Sequence, residues 1–114
     1  MSEEGLIYLI QPGDLIGTQR YKIGMSHTPA LTRTKKYGIK ESRFLCDMTC
    51  KEPLVLERKI IKIFKQKFKL LSGREFFEGD ENQILNTFVS IAMEHINSYY
   101  NYDSDFENKM DVDE

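Results

Sequence analysis

Three side chains with reactive groups lie in short apolar segments of this 114-residue chain. Tyr8 lies in an apolar run that begins at Gly5, Lys22 lies in a second run, and Glu57 follows a third. A carboxylate that faces apolar side chains must pair with a cation, bind a metal ion or raise its pKa. Hydrolysis of a phosphodiester bond needs an activated water, a cation near the non-bridging oxygens and help for the leaving alkoxide. These residues could supply such groups, although a tyrosine or a lysine in a strand is more often a packing or surface residue.

Other sites with strong sequence signatures are not predicted. Cys46 and Cys50 have no second Cys or His pair nearby, and His27 and His95 are far apart, so the spacing does not indicate zinc. His95 is interpreted as a satisfied histidine at the edge of the core. The sequence contains no P-loop, dinucleotide glycine fingerprint or serine-nucleophile elbow. With an acidic N-terminus and no secretory signal, the two cysteines are expected to be reduced thiols of an intracellular protein.

Two strands are predicted to carry Tyr8 and Lys22. They cover residues 5–11 and 21–26, and a loop that is rich in glycine separates them. A period of two puts the second strand's residues on opposite faces. The residues of one face are Tyr21, Ile23 and Met25. Those of the other face are Lys22, Gly24 and Ser26. Residues 43–48 are predicted to form a third strand.

Two helices are predicted to carry the remaining reactive side chains. Thr28 and Pro29 favour a helix that runs to about Tyr37 and has Arg33 in its middle. Pro53 begins the second helix, which is predicted to reach Phe68 or Lys69. Its apolar stripe is Ile60, Ile61, Phe64 and Phe68, and Glu57 is assigned to that stripe. Its basic face is Arg58, Lys62, Lys65 and Lys69.

The rest of the chain is predicted to add a third helix and a tail. Residues 75–78 are predicted to be extended, and Asp80 with Gln83 three residues later is typical of a capping box. From residue 101 the chain is polar and acidic, which indicates disorder. The sequence thus predicts an α+β domain over residues 1–100 and an acidic disordered tail over residues 101–114. No run of about 18 apolar residues indicates a membrane span.

The charges are distributed unevenly along the chain. Between Arg20 and Arg74 there are 15 Lys and Arg residues against four acidic ones, whereas residues 103–114 hold six acids and one lysine. A basic middle with an acidic tail is typical of a protein that binds a polyanion and shields its basic face. The alternative is a solvated helix surface with a solubilising tail.

The order and spacing of the motifs resemble the GIY-YIG nuclease superfamily. The similarity is greatest to its phage and large-DNA-virus branch, in which the second motif reads K-I-G and the last resembles G-x-E-[WF]-F. The corresponding segments here are Ile7-Tyr8, Lys22-Ile23-Gly24, Arg33, Glu57 and Gly73-Arg74-Glu75-Phe76-Phe77. Each motif is short, and together they span about residues 5–90.

The resemblance implies a small three-stranded antiparallel sheet flanked by helices. It also implies one divalent ion, Mg²⁺ or Mn²⁺, held by Glu57. Tyr8 would position or deprotonate the attacking water, Arg33 would steady the scissile phosphate, and the product would carry a 5′-phosphate. The family's second-motif tyrosine falls on Lys22.

Two further residues are assigned supporting roles by their places in the motifs. His27 follows the second strand and could transfer a proton, and Glu75 lies where the family branch has a glutamate. Around residues 67–71 the chain has no equivalent of the asparagine that often follows the glutamate-bearing helix.

Two functions remain open from the sequence. One is a metal-dependent endonuclease that acts on nucleic acid, with DNA expected, and the other is a binding or interaction module that has lost cleavage. By default the basic helix face is a solvated surface, and beside a phosphodiesterase cleft it would contact the nucleic-acid backbone. The expected location is intracellular, without membrane attachment, and a protein partner or a homodimer is left open.

Overall fold

Five strands and two α-helices form the described part of an α+β fold in this computed structural model. The structure describes residues 4–28, 42–71, 73 and 75–112, and within these ranges it describes side chains up to residue 99. The strands are β1 (Glu4–Gln11), β2 (Arg20–Ser26), β3 (Arg43–Lys51), β4 (Lys69–Leu70) and β5 (Phe76–Glu78). The helices are α1 (Pro53–Lys67) and α2 (Glu81–Val112), and a short 3-10 helix (Gly13–Leu15) precedes β2.

One predicted helix cannot be compared with the structure. It runs from Thr28 to about Tyr37 with Arg33 in its middle, and beyond Thr28 it lies outside the described residues. The structure confirms the other long strands and helices that the sequence predicted. Both strands that carry the first two motifs are present, and α1 begins at Pro53 and gives way to extended backbone at Phe68.

The sheet is antiparallel, with the strand order β3-β1-β2-β5-β4. The predicted sheet of three strands is therefore too small, because β4 and β5 extend it beyond β2. These strands have two and three residues, too short for a periodic signal. Lys69 was assigned to the basic face of α1, but it lies in β4, opposite Glu78 of β5.

The two faces of the sheet carry different clusters of buried residues. One face packs against α1 and α2 and forms the main core, in which Ile7, Ile23, Phe64 and Phe88 are fully buried. The opposite face carries the second buried cluster, which consists of Leu6, Tyr8 and Ile10. The register pairs Tyr8 with Gly24 and Ile10 with Lys22, so the predicted alternation along β2 places Lys22 on the face of Tyr8.

Gly5 begins β1 where neighbouring backbone leaves no room for a side chain. A Cβ atom at this position would lie 2.2 Å from the carbonyl oxygen of Ser26 and 2.7 Å from the ring of Pro53. The first motif therefore needs glycine here, because β2 and the start of α1 both approach the backbone closely.

The ends of the helices follow local chemistry. Glu52 has a φ of 53° immediately before α1, and Pro53 occupies the first turn, where its missing N–H costs nothing. At the start of α2 the backbone N–H of Gln83 donates to the Asp80 carboxylate at 3.2 Å, which confirms the predicted cap.

The backbone of α2 continues to Val112. The disorder expected for residues 101–114 stays a prediction. Over the described residues, neither helix is both long and apolar enough to cross a membrane.

Alkylation should show that the two cysteines are poor nucleophiles. Both are free, burial raises the pKa of the Cys50 thiol to about 11, and burial also raises that of Cys46. Because only the thiolate reacts, alkylation of both residues should accelerate as the pH rises. At pH 8 we expect iodoacetamide to modify Cys50 about a hundredfold more slowly in the native chain than in the urea-unfolded chain, and to modify Cys46 more slowly in the native chain as well. If mass spectrometry shows equal alkylation rates for the native and the unfolded chain, the cysteines are not buried in the way the structure shows.

Candidate functional site

A cleft of about 540 Å³ lies between the outer side of α1 and the chain that leads into β5. It combines acidic, basic and apolar side chains. The residues that line it are Leu54, Glu57, Arg58, Ile61, Lys62, Lys65, Gln66 and Glu75. Three of the four residues assigned to the basic helix face are among them, together with two glutamates singled out from the motifs.

Glu57 lies beside the apolar stripe of α1 rather than within it, which corrects the sequence prediction. The buried stripe of this helix is Pro53, Leu56, Ile60 and Phe64, whereas Glu57 is half-buried and lines the cleft. One helical residue corresponds to about 100°, so Glu57 is turned from Leu56 towards the cleft. A carboxylate in this place is accessible to a ligand.

Lys22 reaches the edge of the same cleft through Glu75. Its Nζ lies 3.9 Å from Oε2 of Glu75, and it also lies 5.7 Å from the ring centre of Phe76. The side chain of Lys22 is 27% exposed and that of Glu75 is 44% exposed. The pair is therefore partly solvated, and the lysine can exchange this carboxylate for another anion at low cost.

Tyr8 shares a sheet face with Lys22 but does not line the cleft. It is 7% exposed, and its ring lies directly over Gly24 on the neighbouring strand. A Cβ atom at Gly24 would lie 2.3 Å from two carbons of that ring. The glycine of the second motif thus provides the space that the tyrosine of the first motif fills.

The other predicted site residues lie in different places. His27 is exposed just beyond β2, and it does not line the cleft. Arg33 lies outside the described residues. Lys69, in β4, is exposed and does not line the cleft. The structure therefore places Glu57 and Glu75 in one cleft and Lys22 beside Glu75, whereas Tyr8, His27 and Lys69 do not line that cleft.

Tyr21, next to Lys22 in the chain, lies on the opposite face of the sheet from Tyr8 and Lys22. It is 2% exposed on the other sheet face, and its hydroxyl donates to Glu81 Oε1 at 2.9 Å. Burial, followed by this hydrogen bond, raises the pKa of Tyr21 to about 12. Arg43 also binds Glu81, and hydrogen bonds from Arg43 and Tyr21 hold the pKa of that carboxyl below its usual range. The tyrosine therefore ties α2 to the sheet.

The basic residues of α1 lie together on one side of the helix. Among the described residues no carboxylate lies within ion-pair distance of Arg58, Lys62 or Lys65. Lys62 is three or four positions from each of the other two, and such like-charge pairs destabilise a helix by about 0.2–0.5 kcal/mol each. This side of α1 is therefore basic.

A family comparison identifies most of the chain. The family model described as the T5orf172 domain matches residues 5–92, which cover the five strands apart from Glu4, all of α1 and the N-terminal part of α2. This chain belongs to the T5orf172 domain family. No curated protein and no solved structure matches it. The family match supports membership of the T5orf172 domain family. The GIY-YIG resemblance, which rests on the short motifs, is more specific than this match.

The cleft of this T5orf172 domain contains ligands suited to a hard divalent cation. Glu57 and Glu75 supply carboxylates, which Mg²⁺ and Mn²⁺ prefer over nitrogen or sulfur ligands. In the part of the chain that the structure describes, no three His, Cys, Asp or Glu side chains form a metal-binding group. The cleft therefore fits an ion that keeps several of its waters and uses one or two protein carboxylates.

A second groove of about 350 Å³ lies between α1 and α2 of this T5orf172 domain, and the sequence analysis did not identify it. His95 is 3% exposed there, its Nε2 lies 2.8 Å from the Lys51 carbonyl oxygen, and its Nδ1 lies 3.1 Å from Lys59 Nζ. Because an ammonium group only donates, Nδ1 accepts from Lys59 in this arrangement, and the Nε2–H donates to the Lys51 carbonyl. The prediction of a satisfied core-edge histidine is confirmed. The only sequence signal for Lys59 is its position beside the apolar stripe.

Proposed function

We propose that this T5orf172 domain is a metal-dependent endonuclease of GIY-YIG type that hydrolyses phosphodiester bonds of nucleic acid, with DNA as the expected substrate. The observation that carries the proposal is the cleft itself, where Glu57 and Glu75 lie among Arg58, Lys62 and Lys65, and where Lys22 pairs with Glu75 from the neighbouring strand. Carboxylates that hold a divalent cation and cations that bind phosphate are the two requirements of this reaction.

Each residue has a proposed role that follows from its place and chemistry. Glu57 holds the divalent cation, with Glu75 as a second oxygen ligand. Mg²⁺ or Mn²⁺ supplies Lewis-acid stabilisation of the phosphate oxygens and lowers the pKa of a bound water. Lys22 leaves its loose pair with Glu75 and binds a non-bridging phosphate oxygen, a function that an ammonium performs as a point charge.

Tyr8 and Arg33 complete the proposed site in the roles that the resemblance implies. The Tyr8 hydroxyl orients the attacking water from the sheet face that it shares with Lys22. Arg33 binds the scissile phosphate, for which the planar guanidinium is suited. Arg58, Lys62 and Lys65 contact the nucleic-acid backbone along α1.

A second candidate function is a nucleic-acid-binding module without cleavage. The observation that favours it is the burial of Tyr8, which is 7% exposed and does not line the cleft. In addition, Lys22 lies where the GIY-YIG family has its second-motif tyrosine. It therefore supplies an ammonium group in place of a hydroxyl, and this group pairs with Glu75, one of the two carboxylates. Under this proposal the basic side of α1 would bind nucleic acid and the carboxylates would serve packing or solubility.

Plasmid nicking tests the two candidates directly. Supercoiled DNA incubated with the full chain should become nicked in Mg²⁺ or Mn²⁺, and excess EDTA should stop the reaction. Because the resemblance implies a 5′-phosphate, DNA ligase should reseal the nicks without prior kinase treatment. Salt-sensitive DNA binding with no nicking in either metal would reject the nuclease and support the binding module.

A further inference from the structure

The groove between α1 and α2 has the features of a second anion site. Lys59 and Lys62 both line it, and His95 and Ser98 provide polar groups on the side of α2. Among the described residues no carboxylate forms an ion pair with either lysine, although Glu94 lies in the same groove. The positive charge of the two ammonium groups therefore exceeds the negative charge that lines the groove.

His95 fixes the position of the Lys59 ammonium group in this groove. A surface lysine normally loses considerable side-chain entropy when it is fixed against a ligand. Here the buried imidazole accepts from Lys59 at 3.1 Å, and its other nitrogen is held by the Lys51 carbonyl at 2.8 Å. The ammonium group is thus positioned in advance, and two of its three N–H donors remain for another acceptor. Prior ordering of this kind favours binding.

Lys62 connects the groove with the cleft that contains Glu57. It lines both of them, with Arg58 and Lys65 towards the cleft and Lys59 towards the groove. The basic surface is therefore continuous across α1. A compact anion would need only one of the two depressions, whereas a linear polyanion with regularly spaced charges can occupy both.

We propose that the α1–α2 groove binds a second phosphate of the same nucleic-acid strand, so that the backbone runs from the cleft over Lys62 to Lys59. The inference rests on nucleic acid being the ligand of the cleft, and it does not require cleavage. Lys59 and Lys62 contact phosphate, and His95 is a positioning residue for Lys59. The groove fixes the direction of the strand relative to the cleft without reading its sequence.

The test is DNA binding without cleavage, measured by fluorescence anisotropy of a labelled duplex in EDTA between about 50 and 200 mM salt. Lys59→Gln and Lys62→Gln should each weaken binding equally for unrelated sequences and lower the salt slope by about one. Lys59→Arg should retain the slope because it retains the charge. Lys67→Gln is the matched control, since this exposed lysine of α1 lines neither depression.

The outcomes separate this inference from the nuclease proposal. An unchanged salt slope of DNA binding in Lys59→Gln would contradict phosphate binding in the groove, and so would an equal decrease of the slope in Lys67→Gln. Plasmid nicking tests the nuclease proposal independently. Binding that depends on Lys59 in a chain that never nicks would support the groove and reject the nuclease. If the wild type does not bind DNA, the proposal that the groove binds a phosphate is rejected. This includes the case in which the protein binds only an acidic protein. Thermal melts of each variant control for folding.

Discussion

Replacing Glu57 with glutamine is expected to slow metal-dependent nicking by more than about a hundredfold. Loss of an outer partner of a metal ligand already costs about 10- to 100-fold, and Glu57 is proposed as the ligand itself. Glutamine retains the size of the side chain but removes the negative charge that attracts a hard divalent cation. The measurement is the initial rate of conversion of supercoiled plasmid across a range of Mg²⁺ concentrations.

The structure also predicts that this substitution leaves the fold intact. Glu57 is half-buried at the cleft, and the buried stripe of α1 consists of other residues. The urea midpoint of Glu57→Gln should therefore stay close to that of the wild type, and DNA binding in EDTA should be unchanged or stronger. Glu78→Gln is a matched control, because its partly exposed carboxylate pairs with Arg20 and does not line the cleft. Equal nicking rates for Glu57→Gln and the wild type would remove Glu57 from the mechanism.

Replacing Gly24 with alanine is expected to destabilise the fold by about 1–3 kcal/mol, the usual cost of forcing an extra methyl group into a packed site. The added carbon would lie 2.3 Å from the Tyr8 ring, so the ring must leave its place against β2. If Tyr8 orients the attacking water, this displacement should also reduce nicking by about a hundredfold. Urea denaturation and the plasmid assay measure the two effects.

A double-mutant cycle identifies the ring as the cause. In a Tyr8→Val background the methyl group of Gly24→Ala has space, so its cost should largely disappear and give a coupling of about 1 kcal/mol or more. Tyr8→Phe retains the ring and removes only the hydroxyl, which separates the packing role from the proposed catalytic one. Strict additivity of the Gly24 and Tyr8 substitutions would show that the close approach does not determine the cost.

Several features of the site follow from local rules that operate within a few residues. The alternation of Tyr21 and Lys22 across β2 follows from the strand period, and the register confirms it. Pro53 and Asp80 begin their helices as their side-chain chemistry predicts, because caps act through backbone groups in the first turn. The strand and helix patterns around Tyr8, Lys22 and Glu57 are therefore enough to single out these residues from the amino-acid sequence.

The places of these residues relative to one another depend on contacts between distant segments. Glu57 lies at the edge of the helical stripe, where a periodic pattern cannot distinguish core from cleft, and the packing of α1 on the sheet places it in the cleft. The extended segment at residues 75–78 was predicted, but its partners were not: pairing of β5 with β2 places Glu75 beside Lys22, and pairing of β4 with β5 removes Lys69 from the helix face. Such pairings depend on tertiary packing rather than on propensity.

The sequence by itself determined the chemical groups, their order and the elements that carry them, since strand and helix periods and caps are local properties of the chain. Only the tertiary structure decided that Glu57 and Glu75 share one cleft and that the Tyr8 ring fills the space above Gly24. It also decided that His95 holds Lys59 in a second groove. The physical reason is that each of these contacts joins residues from different elements, and their distances depend on how the whole sheet and both helices pack.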